Sequence, residues 1–473
     1  RKPVTVTPDT PIRDVLKQMK TLRIGSVVVV ATDAPGQPVG IFTERDVLDR
    51  IALDAIPQDA PIAQAMTPKP FTLPGHATLF DAAQAMARFR FRHVLVMEEE
   101  RLIGVVSERD LFTLQRLSPG EIAKSIEQAE SVEALAHASR EVRRLAGVLL
   151  AQGVAAEQLT QFVTTLNDAL AGRALALAAH ENVPPPTPWC WIGLGSEGRM
   201  EQTLATDQDN ALIFEPLDGE SLSDTRTAFL RFADSANLIL DRCGFPLCKG
   251  DILARNPKWC MSTSEWRKTF ADWIATPHPE ALLNAAIFFD FRPLAGDTTL
   301  AESLRHWLSQ RVPSHATFFM LMAQNALQVR PPLGLLRDFV PDDRELEGTI
   351  DLKKYAARPF VDAARIFALK HGVSASNTAD RIRLSAPRMH MHTDEAAAII
   401  DAFHFIQLLR LSNQEETISR DSGIPTTTTR DGKSAFPNRI NPDQLNELDR
   451  RILKEALRQA RKLQSRLEMD FLH

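Results

Sequence analysis

The spacing of apolar residues divides the chain into regions. Up to about residue 115, short apolar runs at residues 26–30 and 93–96 predict buried strands, and each run follows a segment with helical spacing. The same order of strand, helix, strand and polar turn occurs twice, over about residues 1–55 and 61–117. Two small units of this kind are expected to pack together, because neither buries much core alone.

Beyond the repeat, the pattern becomes helical and then mixed. Residues 118–184 show no strand pattern, and their apolar positions predict an antiparallel pair of helices that breaks at Gly153. Three consecutive prolines then mark a boundary. Residues 185–300 contain strand patterns at 189–194 and 209–214, separated and followed by helical segments. This mixture predicts a small α+β domain.

The C-terminal region, residues 301–473, has little strand pattern and is predicted to be all-helical. Asn441 followed by Pro442 predicts the start of a last long amphipathic helix, since Asn is a good cap and Pro suits the first helical position. The sequence 390–392 reads His-Met-His, but no third ligand with recognisable spacing accompanies it. This favours a surface turn over a metal site.

Composition narrows the class of protein. The 473 residues, with 44% hydrophobic and 24% charged side chains, are typical of a globular protein of about three domains. A net charge of -5 without a basic region argues against a nucleic-acid partner. No apolar stretch approaches the roughly 20 residues that cross a bilayer, so no membrane partner is expected. Four cysteines without Cys-x-x-Cys spacing favour reduced thiols and a cytoplasmic location.

The start of the chain predicts a longer natural protein. The chain begins at Arg1, and its first repeat lacks the counterpart of Met66 and Thr67 in the second. We therefore expect the native N-terminus to lie further upstream.

A glycine-serine turn and two alternating carboxylates are the most informative feature. Gly195 and Ser196 follow one predicted strand, while Asp207 and Asp209 directly precede the next. Side chains two apart in an extended chain point the same way. Two adjacent carboxylates repel unless a divalent cation neutralises them, and oxygen ligands suit Mg²⁺ or Mn²⁺. Glycine backbone N–H groups can bind phosphate. Together these residues indicate chemistry on a nucleoside triphosphate.

This run resembles the active-site signature of the DNA-polymerase-beta-like nucleotidyltransferases, a glycine-serine turn followed by Asp-x-Asp. The fuller string, residues 195–199 with Glu201, Gln202 and residues 206–210, is similar to a family of bacterial CBS-domain-containing nucleotidyltransferases. That family is related to PII uridylyltransferase and glutamine-synthetase adenylyltransferase. The resemblance implies a multidomain α+β fold with four parts: a tandem CBS module (1–117), a helical linker (118–184), a nucleotidyltransferase domain with a small mixed sheet (185–300) and an all-helical C-terminal domain (301–473).

The resemblance also implies roles for residues at the turn. Asp207 and Asp209 are expected to bind the metal ions, while Gly195 and Ser196 would hold the β- and γ-phosphates. Arg199 is a further candidate for the triphosphate, although an ion pair with Glu197 or Glu201 would explain it equally well. Lys249, Arg255 and Asn256 are secondary candidates for phosphate contacts.

Two-metal nucleotidyl transfer calls for a third carboxylate on a neighbouring strand. Asp290, which precedes Phe291 and Arg292, is similar to the corresponding position of both named relatives and is the first candidate for metal ligand and base. Asp251, on another predicted strand, is the alternative. The equally weighted alternative for Asp290 is an ion pair with an arginine at the end of a sheet.

The N-terminal repeats resemble a tandem CBS module, in which each repeat ends in Gly-h-x-Ser/Thr-x-x-Asp. In that family the Asp usually contacts a ribose hydroxyl, and the Ser or Thr contacts ribose or phosphate of an adenine nucleotide. Thr43 and Asp46, and Ser107 and Asp110, are therefore the candidate ligand-binding residues. The alternative is that they cap the following helices.

These expectations describe a magnesium-dependent nucleotidyltransferase. It would move a nucleoside monophosphate from a triphosphate to a hydroxyl of a regulatory protein or a small molecule, under control of adenine nucleotide at the CBS pair. The alternative is a catalytically inactive signalling protein that binds nucleotide or a partner. Because CBS modules commonly pair face to face, we expect a homodimer through that module.

Overall fold

The computed structural model describes most of the chain: residues 3–22, 24–34, 36–75, 77, 81–82, 85–86, 89, 91–98, 101–107, 119–334, 339–340, 347–421 and 438–473, with side chains of 418–421 left aside. The chain forms two compact units, Arg1–Ser118 and Pro119–His473. Most of the second helix predicted in the repeat, and Asp110, lie outside the described residues.

The N-terminal unit contains two small sheets that pair in the same way. In each, a first short strand lies parallel to the second, and the second and third form an antiparallel hairpin. The elements are β1 (Thr5–Val6), α1 (Ile12–Leu22), β2 (Ser26–Val30), β3 (Pro38–Thr43), α2 (Glu44–Asp46), β4 (Thr67–Pro68), β5 (Thr72–Pro74), β6 (His93–Glu98) and β7 (Arg101–Ser107). A fourth strand, β4, completes the first sheet in the order β1-β2-β3-β4.

Alternation along β2 explains how the repeats pack. Val27 and Val29 point to one face and lie in the core beneath α1, while Val28 and Val30 point to the other. The second pair packs with Leu95 of the second sheet. The run of four valines therefore has both faces buried, one within its repeat and one between the repeats.

The second unit begins with three helices, where the sequence predicted a pair. They are α3 (Pro119–Glu127), α4 (Val132–Ala151) and α5 (Ala156–Glu181). The break between α4 and α5 falls at Gly153, as predicted, and its φ of +78° is in the region that favours glycine.

A four-stranded mixed sheet follows in the order β10-β9-β8-β11. The central strand β8 is antiparallel to both neighbours, whereas β9 and β10 are parallel. Gly193 of β8 is opposite both Asn210 of β9 and Arg292 of β11, so the end of one strand meets the beginnings of two others. The elements are β8 (Trp189–Gly193), α6 (Gly195–Gly198), β9 (Asn210–Phe214), α7 (Leu222–Arg242), β10 (Cys260–Ser262), α8 (Thr263–Ala275), α9 (Pro279–Phe288) and β11 (Arg292–Gly296).

In its described residues, the C-terminal region is helical apart from one short strand pair. Its elements are α10 (Thr298–Arg311), α11 (Ala316–Leu327), β12 (Ile350–Asp351), a π-helical turn (Leu352–Ala357), α12 (Arg358–Lys370), α13 (Thr378–Ser385), α14 (Thr393–Asp421), β13 (Arg439–Ile440) and α15 (Glu447–Leu472). One core cluster runs from Ile192 and Ile213 of the sheet to Leu467 of α15, so the sheet and these helices share an interior. The multidomain α+β fold class is confirmed.

The predicted start of the last helix was wrong by one turn and a half. Asn441 caps only a 3₁₀ turn, Pro442–Gln444, by accepting a hydrogen bond from the N–H of Asp443. The long helix begins at Glu447, and its cap is Asn446, whose side chain accepts from the N–H of Asp449 at 2.9 Å. Both Asn441 and Asn446 have good capping geometry, and the one that precedes Pro442 caps the short 3₁₀ turn instead of the long helix.

Among the described residues, no helix combines the length and the apolar character that a bilayer span needs.

Candidate functional site

Asp207 and Asp209 lie at the sheet edge where β8 ends and β9 begins. One oxygen from each carboxylate and the Sγ of Cys248 all lie within 4.8 Å of one another. Among the described residues, this is the only group of three His, Cys, Asp or Glu side chains arranged so closely. The predicted pairing of the two aspartates is therefore present in the structure.

The residues between and after the two aspartates hold them in place. Gln208 points away from the pair into the interior, where its Nε2 donates to the backbone oxygens of Asn237 and Phe245 at 3.0 and 2.7 Å. Asn237 Nδ2 in turn donates to Gln208 and to Asn210 at 2.8 and 3.0 Å. Because Gln208 is anchored inside, the residues on either side of it face the opposite way, together.

Gly195 brings the turn close to Asp209. Its φ of +54° is a left-handed conformation, and a Cβ at this position would lie 3.3 Å from Asp209 Oδ2. The N–H of Leu194 donates to the backbone oxygen of Asp209 at 2.8 Å, which extends the β8–β9 pairing to the turn. The backbone conformation therefore favours glycine here, and a larger residue would press on the Asp209 carboxylate.

The electrostatics of the pair fit a cation. Burial and the nearby carboxylate of Asp207 raise the pKa of Asp209 to about 6. Lys353 places a cationic group at the pair, with its Nζ 4.0 Å from Asp207 Oδ1 and its side chain 61% exposed. Carboxylate oxygens are the ligands that Mg²⁺ and Mn²⁺ take in proteins. A divalent cation held by these oxygens would relieve the repulsion that the pKa shift reports.

Asp290 does not join this group. It is completely buried, and both of its oxygens accept hydrogen bonds from guanidinium groups: Arg365 at 3.0 and 2.6 Å, Arg381 at 2.5 Å and Arg199 at 2.8 Å. Burial alone would raise its pKa, but the three arginines hold that pKa well below its usual range. Of the two interpretations, the structure supports the ion pair, and Asp290 has no oxygen left for a metal or for an attacking hydroxyl.

Asp251 does not supply the third carboxylate either. It lies on no strand but in a turn, with a left-handed φ of +53°, and its exposed carboxylate accepts a hydrogen bond from Asn256 at 2.8 Å. The prediction of a strand there was wrong: Ile252, Leu253 and Ala254 are buried like strand residues, but they lie in a loop. Cys248, three residues earlier, is the group that meets the aspartates.

Arg199 serves the ion-pair cluster and not an open phosphate site. Its Nε contacts Glu201 at 2.7 Å and its Nη1 contacts Asp290 at 2.8 Å. The alternative of an ion pair with Glu201 is thus the arrangement observed.

The other candidates for phosphate contacts lie apart from this cluster. Lys249 is exposed next to Cys248, and Arg255 contacts Asp234 at 3.3 Å. Ser196 lies beside Gly195 in α6, half-buried.

The linker helix α5 reaches the turn, which the sequence did not indicate. Arg292 of β11 makes two contacts of 2.8 Å with Asp168 of α5, and its Nη2 donates to the backbone oxygen of Glu197 at 3.1 Å. Burial, together with the charge of Asp168, raises the pKa of Glu197 to about 8. The turn that carries Gly195 is therefore supported from the linker side.

The first CBS candidate pair forms a local cap. The hydroxyl and N–H of Thr43 donate to Asp46 Oδ2 at 2.7 and 2.8 Å, and Thr67 donates to Asp46 Oδ1 at 3.1 Å. Asp46 is buried at 8% exposure. The capping alternative is therefore present in the structure. Ser107 ends β7, and its partner Asp110 lies outside the described residues.

Family models match most of the chain. The model described as "Putative nucleotidyltransferase DUF294" matches residues 140–280. The model described as "Putative nucleotidyltransferase substrate binding domain" matches residues 316–471, and that of the CBS domain matches residues 1–53 and 62–116. The chain belongs to the family that joins a CBS pair to this nucleotidyltransferase domain and its substrate-binding domain. The resemblance drawn from the turn and the repeats is confirmed.

Individual relatives are more distant. An uncharacterized protein of Methanocaldococcus jannaschii is 23% identical over 115 residues, 24% of this chain and 62% of that protein. The CBS domain-containing protein CBSCBSPB3 of Arabidopsis thaliana is 23% identical over 280 residues, 59% of this chain and 43% of that protein. The chain thus spans less than two thirds of the length of each. A solved CBS domain protein from Pyrobaculum aerophilum, complexed with AMP, is 32% identical and covers 23% of this chain and 83% of its own, with a TM-score of 0.22.

Proposed function

We propose that this protein is a nucleotidyltransferase that needs a divalent cation and transfers a nucleoside monophosphate from a triphosphate to a hydroxyl. The observation that carries the proposal is the side-by-side placement of Asp207 and Asp209 against the Gly195 turn. The match of residues 140–280 to a nucleotidyltransferase domain supports it.

The chain's own residues divide the work. Asp207 and Asp209 would hold Mg²⁺ or Mn²⁺, and a cation bound there supplies charge for the phosphates and lowers the pKa of a coordinated hydroxyl. Gly195 and Ser196 would contact the β- and γ-phosphates. Lys353 reaches the pair from the C-terminal domain and would neutralise a further phosphate charge. The acceptor hydroxyl would release its proton to solvent, and its oxygen would bond to the α-phosphorus as the bond from that phosphorus to the bridging β-phosphate oxygen breaks and pyrophosphate leaves.

The acceptor is expected between the sheet edge and the C-terminal helices. The substrate-binding model matches residues 316–471, and this region supplies Lys353 next to Asp207 as well as Gln414, which accepts from the N–H of Ala205 at 3.0 Å. A hydroxyl of a regulatory protein and a hydroxyl of a small molecule both fit this class of reaction.

We propose that the CBS pair binds an adenine nucleotide and regulates the transfer, since both repeats match the CBS domain model. We also infer a homodimer through this module, because CBS modules commonly pair face to face. All four cysteines are unpaired, which supports a reducing compartment such as the cytoplasm. Thermal shift of the full chain with AMP or ATP tests the first inference. Absence of any shift with either nucleotide would contradict it.

The transfer is tested by pyrophosphate release from ATP, UTP, CTP and GTP with Mg²⁺ or Mn²⁺. The double variant Asp207→Asn, Asp209→Asn should lose turnover by orders of magnitude while keeping the wild-type melting temperature. Asp241→Asn, an exposed carboxylate on α7, is the matched control and should leave turnover unchanged. Nucleotide binding without turnover in the wild type would instead indicate a catalytically inactive nucleotide-binding protein.

A further inference from the structure

Cys248 places a sulfur atom beside the paired carboxylates. Its Sγ lies within 4.8 Å of one oxygen of Asp207 and one of Asp209. The third ligand-type group at this site is therefore a thiol, where the sequence predicted a carboxylate.

The position of Cys248 is built into the fold. The N–H of Gln208, between the two aspartates, donates to the backbone oxygen of Pro246 at 3.0 Å, and its side chain donates to Phe245 at 2.7 Å. On the other side of Cys248, its backbone oxygen accepts from the N–H of Asp251 at 2.9 Å. The segment with the thiol is thus joined directly to the segment with the carboxylates.

The other cysteines differ from Cys248 in environment. Cys190, Cys243 and Cys260 are buried. Cys248 alone among the four is half-buried and belongs to a group with two carboxylates. Its side chain lies at the margin of the hydrophobic core, where it also meets the two carboxylates.

We propose that Cys248 is the third protein ligand of the divalent cation at Asp207 and Asp209, so that this site binds Co²⁺ or Zn²⁺ in preference to Mg²⁺. The inference rests on the proposed function, which supplies the cation. When sulfur coordinates the cation, the S–H bond breaks, the proton passes to solvent and a metal–thiolate bond forms. Thiolate is a soft ligand that favours transition-metal ions, whereas Mg²⁺ favours oxygen.

Absorption spectroscopy with Co²⁺ tests this ligand without relying on turnover. Titration of the full chain should produce a sulfur-to-cobalt charge-transfer band in the wild type. Cys248→Ser should lose the band and bind Co²⁺ at least about 10-fold more weakly. Loss of a residue that only supports a metal ligand typically costs about 10-fold in affinity, and loss of the ligand itself should cost no less. Its affinity for Mg²⁺ should not fall, because a hydroxyl oxygen replaces the sulfur.

Two control variants define the outcome. Cys243→Ser, which changes a buried cysteine of the same domain, should keep the band, and Asp207→Asn with Asp209→Asn should lose both band and Co²⁺ binding. A wild-type protein that binds Co²⁺ without the band, or a Cys248→Ser variant with unchanged Co²⁺ affinity, would overturn the assignment. Turnover without the band refutes only the role of Cys248, whereas the band without pyrophosphate release from any triphosphate refutes only the proposed function.

Discussion

Replacement of Asp290 by Asn separates its two interpretations. The substitution keeps the shape of the side chain but removes the negative charge from a fully buried position. Arg199, Arg365 and Arg381, which share that carboxylate, would then face one another without their common partner.

The size of the effect follows from the contacts. Four hydrogen bonds of 2.5 to 3.0 Å connect the carboxylate to guanidinium groups. The amide oxygen of Asn can accept some of them, but its NH₂ group is a donor and must face another donor. Removal of one partner from a buried ion pair costs about 3–5 kcal/mol. We therefore expect the melting temperature of the Asp290→Asn variant to fall by an amount on the order of 10 °C.

Calorimetry or circular dichroism measures this change, and Co²⁺ titration should show that metal binding persists in the folded variant. Asp251→Asn is the matched control, because Asp251 is exposed and Asn tolerates its left-handed backbone. The reasoning is refuted by an unchanged melting temperature in Asp290→Asn together with lost metal binding, which would show that Asp290 is a metal ligand after all.

Three further outcomes follow from the same contacts. Lys353→Met should raise KM for the triphosphate about fivefold at low salt, from a loss of about 1 kcal/mol in binding free energy, without changing the melting temperature. Steady-state kinetics measure this change, and an unchanged KM would exclude a phosphate contact by Lys353. Gly195→Ala should lower turnover at least about 10-fold, because φ of +54° costs a side chain about 1–2 kcal/mol and the new Cβ crowds Asp209; Gly172→Ala, where a Cβ meets nothing within 4 Å, should leave turnover unchanged. The arginines lower the pKa of Asp290 against the effect of burial, so its contribution to stability is complete above about pH 5 and is lost as pH falls towards the folded-state pKa. The difference in free energy of unfolding between wild type and Asp290→Asn should be constant above about pH 5 and shrink in stronger acid; a difference that shrinks near pH 7 would contradict this.

Local patterns predicted the parts of the site that are local. Asp207 and Asp209 are two residues apart next to a strand, and the period of an extended chain is sufficient to place them together. Gly195 could be singled out for the same reason, since a strand end followed by glycine is a short-range signal. The alternation of Gln208 and Asn210 with the aspartates was a further signal, because amides entering a buried strand need interior partners.

The parts that were missed depend on distant residues. The partners of Asp290 include Arg365 and Arg381, which are 75 and 91 positions away, and no periodicity connects them. Cys248 approaches Asp209 through a turn from a different segment, and Lys353 comes from the C-terminal domain. Each of these contacts depends on how separate elements pack against one another. The spacing of residues along the chain does not predict that packing.

The shared carboxylate of Asp290 also limits how this polypeptide can be divided. Two of its three guanidinium partners come from α12 and α13, and the N–H of Thr378 at the start of α13 donates to Glu201 at 2.6 Å. A truncated fragment that stops at the end of the sheet would leave Asp290 with one of its three arginine partners and Glu201 without the hydrogen bond from Thr378. Recombinant pieces for crystallography or binding studies should accordingly retain everything from the linker helices to α15.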